Sequence, residues 1–298
     1  MKPIRAIAVL PTLFTLGNLV CGFFAIVVLS RIEKPATDQF EPATRIELNL
    51  ESAKDIRDSA RELIGSDDPT HNLMLCGALI LIAMLFDAID GQVARITRGV
   101  SDFGAQLDSL CDLVSFGLAP AILLVKMCPQ FTNLHSEAIW SIAAVFACCA
   151  ALRLARFNVE TDSDDEHTTF AGLPTPAAAA TIGSFAMLSY FLRNEAAIDR
   201  HEYFVTYDWW MQRIVPFFAI AIAILMVSRI PYPHPLTQFL RGQRSFAQLV
   251  AIVFALMAIL IVRNYAIPLL CVLFVVWPPV RYAWELAWHR RTRPESLF

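Results

Sequence analysis

Apolar residues run in long, nearly unbroken blocks, with the polar residues gathered between them. Blocks at about 6–30, 72–90, 106–125, 138–157, 173–192, 213–230, 245–262 and 265–284 each approach or exceed the roughly 20 residues that carry a helix across a bilayer. The pattern predicts about eight membrane-spanning helices packed as an all-α, polytopic bundle. One long interval, 31–71, breaks the rhythm. Within it "IELNLESAKDIRDSARELIG" (46–65) places Ile46, Leu50, Ala53, Ile56, Ala60 and Leu63 three or four residues apart, the spacing of an amphipathic helix. Such a helix is expected to rest on the membrane domain or on a second copy.

Composition supports the membrane reading. Of 298 residues, 56% are hydrophobic and only 17% charged, against about a quarter charged in soluble domains. The net charge of −3 points to no class of partner. No basic stretch is interleaved with aromatics, so nucleic acid is not an expected ligand. The seven cysteines form no C-x-x-C pair and lie in or beside apolar blocks, as small buried hydrophobes do. Lys2 and Arg5 precede the first block, but that block outruns a signal-peptide core and no small-residue cleavage site follows it. The first helix is therefore expected to be retained.

The basic residues orient the bundle. With the N-terminus cytoplasmic, thirteen Lys and Arg fall in cytoplasmic segments (Lys2, Arg5, Arg95, Arg98, Arg153, Arg156, Arg229, Arg241, Arg244, Arg281, Arg290, Arg291, Arg293). Five fall in short outer connections (Lys126, Arg193, Arg200, Arg213, Arg263) and six in the 31–71 loop. The short-loop bias favours this orientation. The basic tail "HRRTRPESLF" then lies by the cytoplasmic lipid surface.

Against that background "DAIDGQVARITRGVSDFGAQLDSLCD" (87–112) is anomalous, because it places four carboxylates between two apolar blocks. At 100° per residue, Asp87 and Asp90 share a helix face, with Gly91 and Ala94 on the same side. Gly104, Asp108 and Asp112, four apart, line a face of the next helix. The polar "QVARITRGVSDF" between them is expected to turn at the membrane surface, so that the two acidic faces meet near the cytoplasmic boundary. Four buried carboxylates need positive charge. Arg95 alone cannot neutralise them; a pair of hard divalent cations, Mg2+ or Mn2+, suits an all-oxygen ligand set and phosphoryl-type displacement. Two other readings stand beside this one: aspartates at helix ends facing water, and a proton or cation pathway.

The stretch reads Asp87-x2-Asp90-Gly91-x2-Ala94-Arg95-x8-Gly104-x3-Asp108-x3-Asp112, which resembles, at every specified position, the signature of the CDP-alcohol phosphatidyltransferase family. "TLGNLVCG" (15–22), "SFGLAP" (115–120), "RLARFN" (153–158) and "GLPTPAAA" (172–179) resemble the phosphatidylserine synthase branch. The resemblance implies a six-helix core over residues 1–235, interrupted by the 31–71 insert, with about two extra transmembrane helices and the tail over 236–298. It further implies displacement of CMP from CDP-diacylglycerol by L-serine, in a bacterial inner membrane with the site on the cytoplasmic face, and a homodimer.

By the same resemblance Asp87, Asp90, Asp108 and Asp112 hold the metals, and Asp112 is also the general base for the incoming hydroxyl. CDP-diacylglycerol falls to Thr12, Thr15, Asn18, Gly91, Ala94, Arg95, Ser101 and Gly104. The family's first helix usually opens with Asn-x-x-Thr, where this chain has Thr12-Leu13-Phe14-Thr15. Ser101 reads equally as a helix N-cap. Arg153, Arg156 and Asn158 are the candidates for serine, one arginine for its carboxylate and the other for phosphate, although membrane anchoring alone also explains two arginines there. The alanines of "PTPAAA" imply close helix packing and no chemistry. Glycerol 3-phosphate, inositol phosphate and choline are the alternative acceptors, and a divalent-cation or proton transporter is the alternative of another class.

Overall fold

The computed structural model describes residues 9–32, 69–97, 102–129, 131, 135–161, 170–199, 202–232 and 265–292. Eight α-helices order the described chain: α1 (Val9–Ser30), α2 (Pro69–Thr97), α3 (Asp102–Asp112), α4 (Ala119–Met127), α5 (Ser136–Thr161), α6 (Thr175–Asp199), α7 (Glu202–Val227) and α8 (Ala266–Thr292). A π-helical turn, Leu113–Leu118, joins α3 to α4, so these two make one span. Seven helical spans among the described residues are long and apolar enough to cross a membrane. The expected span at 245–262, the amphipathic helix at 46–65 and the 235/236 division all lie outside the described residues.

The chain belongs in a bilayer by its surface as well as its length. Leu13, Phe23, Trp140, Phe217, Leu273 and Trp277 are all more than half exposed, which suits lipid and not water. Inside, Leu29, Ile80, Phe116, Leu124, Phe146 and Ile182 form one buried cluster. Helices α1 and α2 pack along each other, α2 packs on α6, α7 on α5 and α6, and α8 against α6. The α2–α6 crossing depends on small residues, because a Cβ added to Gly77 would collide with the Gly183 carbonyl. Ala178, Ala179 and Ala180 are buried on α6, as the alanine run implied.

Two boundaries differ from the sequence expectation, for a physical reason. The segment expected to turn at 92–103 remains helical through Thr97 and resumes helix at Asp102. Gln92, Val93, Ala94 and Arg95 carry no helix breaker, and the first glycine is Gly99. The acidic helices are therefore longer than their apolar blocks, and the aspartates sit inside them.

Two cross-ties fix the ends of the bundle. Lys126 Nζ donates to the Ile32 carbonyl just past α1 at 2.6 Å. At the other end, β1 (Phe170–Ala171) pairs antiparallel with β2 (Pro231–Tyr232), in register Phe170↔Tyr232. Tyr232 is fully buried, and its hydroxyl donates to the Val275 carbonyl at 3.0 Å. In a regular helix that carbonyl would accept from residue 279, but Pro279 has no N–H. Tyr232 thus satisfies an acceptor that the α8 prolines leave open. Burial pushes its phenol up to about 12, so the group stays a donor at neutral pH. Tyr232→Phe is expected to lower the midpoint of thermal unfolding in detergent by about 2–4 °C, the effect of one buried hydrogen bond.

Candidate active site

The carboxylates converge as their spacing requires. Asp87 and Asp90 project from α2 and Asp108 from α3, and each offers an oxygen lying within 4.8 Å of the other two. Asp90 is 5% exposed, and Asp87 and Asp108 are half-buried. Asp90 Oδ2 and Asp108 Oδ1 are buried without a hydrogen-bond partner among the described residues. Carboxylate oxygens brought together without donors repel one another, and a divalent cation is the ligand that relieves both problems. The donor set, all hard oxygen, fits Mg2+ or Mn2+.

Asp112 stands one turn along α3 and has a different partner. It is 7% exposed, and its Oδ1 accepts from Asn18 Nδ2 at 2.8 Å. Asn18 is completely buried, and its backbone carbonyl accepts from Ser115 Oγ at 2.9 Å. Ser115 lies in the π turn, where the Ala119 N–H reaches back five residues to the Val114 carbonyl. The wider turn pushes Ser115 against α1, and only glycine fits opposite it. A Cβ on Gly22 would strike the Ser115 Oγ and main chain. One turn before Asn18, the buried Thr15 hydrogen-bonds Asp90. Helix α1 therefore presents Thr15 to one aspartate and Asn18 to another, each about a turn apart.

The remaining candidates divide into those gathered here and those held elsewhere. Gly91 follows Asp90, and a Cβ there would meet nothing within 4 Å, so α2 is open beside the carboxylates. Gly104 is half-buried one turn before Asp108, and Thr12 is half-buried one turn before Thr15. Ala94 and Arg95 are on α2 with side chains outside the described set, and Ser101 is outside it altogether. Arg153, on α5, lies within electrostatic reach of Asp112 and Asp87, and its Nη1 donates to Thr175 Oγ1 at 2.8 Å. Arg156 is half-buried one turn on. Asn158 points to another flank of α3: its Oδ1 accepts from Ser109 Oγ at 3.1 Å, and its Nδ2 lies 3.5 Å from Gln106 Oε1. Ser109 is about 100° around that helix from Asp108, so Asn158 links helices on the side of the acidic face.

Two residues of this site escaped the sequence reading. Thr175, within a motif read as packing alone, holds Arg153. Ser115, within "SFGLAP", holds the carbonyl of the residue that holds Asp112. A proline five residues on, Pro120, which cannot donate to Phe116, was the available signal for an irregular turn.

Comparison with known proteins gives this arrangement a family. The CDP-alcohol phosphatidyltransferase family model matches residues 8–277. The chain is 34% identical over 208 residues to a CDP-diacylglycerol–serine O-phosphatidyltransferase of Methanocaldococcus jannaschii, across 69% of this chain and 83% of that one. It is 37% identical over 158 residues to an archaetidylserine synthase of Methanothermobacter thermautotrophicus, across 52% of this chain and 57% of that one. A CDP-diacylglycerol–serine O-phosphatidyltransferase of Helicobacter pylori is 30% identical over 166 residues, across 55% and 63%. The match therefore spans most of the first relative and less than two thirds of the other two. Because the matched region runs from α1 through the acidic helices and into α8, this membrane protein belongs to the CDP-alcohol phosphatidyltransferase family.

Proposed function

We propose that the chain transfers the phosphatidyl group of CDP-diacylglycerol to the hydroxyl of L-serine, giving phosphatidylserine and CMP. The observation that carries this reading is the convergence of Asp87, Asp90 and Asp108 beside Asp112 and Arg153, the two charges within reach of each other. The relatives' names supply the acceptor. The basic-residue bias supports a site at the cytoplasmic face, and the resemblance to the phosphatidylserine synthase branch is what suggests a bacterial inner membrane.

Asp87, Asp90 and Asp108, with Asp112 next to them, would hold divalent metal, which when bound neutralises the diphosphate and the departing phosphate oxygens. The open flank at Gly91 admits the nucleotide. Thr15 orients Asp90, and Asn18 fixes Asp112 so that its second oxygen is free to accept a proton. A serine hydroxyl is a weak nucleophile at neutral pH, and Asp112 takes its proton as the serine oxygen bonds to the β-lying phosphorus of the phosphatidyl group. The bond from that phosphorus to the CMP oxygen breaks, and CMP leaves with the electron pair. Arg153, on which Asp112 and Asp87 both act, receives the serine carboxylate through its planar fork of donors, and Arg156 faces phosphate.

The test is CMP release by detergent-solubilised protein given CDP-diacylglycerol and Mg2+ or Mn2+, with L-serine, glycerol 3-phosphate, inositol phosphate or choline offered separately. Serine-dependent release supports the proposal. Release with another alcohol alone overturns the acceptor, and no metal-dependent release with any of them overturns the reaction. Gly91 gives a sharper prediction within the same assay. The fold has room for a side chain there, so Gly91→Val is expected to leave thermal stability nearly unchanged. It should raise the KM for CDP-diacylglycerol about tenfold or more, because the added methyls occupy the nucleotide's approach.

A further inference from the structure

The segment that leads into α6 is held unusually firmly for a connection between two membrane helices. Gly172 adopts φ +88°, and a Cβ there would press on the Met226, Ser228 and Leu225 carbonyls at 2.5, 2.8 and 3.2 Å, so only glycine fits. Its N–H donates to the Ile230 carbonyl at 2.9 Å, and the Leu173 N–H donates to the Leu225 carbonyl at 3.0 Å. Both bonds satisfy groups at or beyond the end of α7, where helix carbonyls lack partners of their own. Pro174 and Pro176 then restrict the backbone on either side of Thr175, and the Pro174 carbonyl accepts from the Ala178 N–H at 3.0 Å. Thr175 is completely buried at this anchored point, with its hydroxyl on Arg153 Nη1 at 2.8 Å.

We propose that Thr175 is a positioning residue for the acceptor: its hydroxyl anchors the Arg153 guanidinium at Nη1 and so sets the orientation in which that guanidinium meets an incoming amino-acid carboxylate. The proposal rests on the serine reading above. The physical reason lies in what else attracts Arg153. Asp112 and Asp87 both act on it, and a long, flexible cation beside a carboxylate cluster relaxes onto that cluster unless something holds it. An arginine collapsed onto Asp112 would mask the base and the carboxylate site together. A neutral hydroxyl on a rigid turn holds the guanidinium without adding charge. The turn itself is fixed by α7 and, through β1, β2 and Tyr232, by α8. The arginine is thus set by three helices besides its own.

The experiment compares Thr175→Val, Thr175→Ser and Arg153→Lys in the full-length, detergent-solubilised protein, measuring KM for L-serine and for CDP-diacylglycerol, kcat, and thermal stability. Thr175→Val is expected to raise the serine KM about tenfold, with the CDP-diacylglycerol KM changed less than about twofold, and Thr175→Ser is expected to restore it. If Arg153→Lys raises the serine KM while Thr175→Val does not, the positioning role falls and the acceptor reading stands. If Arg153→Lys leaves the serine KM unchanged, the carboxylate role of Arg153 falls and takes the inference with it. If Thr175→Val raises both KM values together and Thr175→Ser does not restore them, Thr175 is structural only and the inference is overturned.

Discussion

Asp112→Asn is expected to reduce serine-dependent CMP release by about two to four orders of magnitude, the usual contribution of a positioned base, while the bundle stays folded. Asp112 accepts from Asn18 through a single oxygen, and an asparagine at 112 retains a carbonyl oxygen that can accept the same bond. What it loses is the ability to take a proton. The substitution also removes one negative charge from a crowded group, since Asp87, Asp108 and Asp90 all act on Asp112, so the folded state should not suffer. Steady-state CMP release and a thermal unfolding curve, measured on the same preparation, separate the two effects. Activity within about fivefold of the parent protein would place the base elsewhere. A loss recovered by raising the metal concentration would make Asp112 a ligand first and a base second.

Asp108→Ala is expected to raise the Mg2+ or Mn2+ concentration needed for half-maximal activity by more than about 10–100-fold, the loss that even an outer-shell partner brings. Asp108 contributes the α3 oxygen to the three-carboxylate group, so its removal leaves Asp87 and Asp90 on one helix with Asp112 alone to face them from α3, a weaker ligand set. Stability provides a second measurement. The parent protein should melt at higher temperature as Mn2+ is added, by linkage between folding and binding, and Asp108→Ala should lose most of that response. Without metal the variant should melt at or above the parent's temperature, because a repulsive charge has gone. A variant with an unchanged metal requirement and a raised serine KM would show that the cluster does not hold the ion.

The acidic helices explain why so much of this site was legible in one dimension. Asp87 and Asp90 are three residues apart, and Gly104, Asp108 and Asp112 are four apart. Helical geometry alone places each set on one face, and a short connection forces the two faces together. The same periodicity stacked Thr15 and Asn18 on α1. Where each would land was not legible: Thr15 meets Asp90 and Asn18 meets Asp112 because α1 packs along α2 and against the π turn, contacts separated by up to 97 positions in the chain. Asn158 shows the limit from the other side. Its place after Arg156 pointed to the substrate, and only the α5–α3 packing reveals that its amide also meets Ser109 and Gln106.

By itself the sequence determined the membrane class, the helical architecture and the acidic cluster, because hydrophobic block length and helical period are local properties that no tertiary contact needs to supply. The tertiary structure alone decided which oxygens share a site, that Asp112 is held by Asn18, and that Arg153 rests on Thr175. It also turned two prolines and a distant tyrosine into a tie between α8 and the rest of the bundle. These are contacts between side chains far apart in the chain, set by how ridged helical surfaces fit when small residues let them approach. Gly22 against Ser115 and Gly77 against Gly183 mark where that approach is closest.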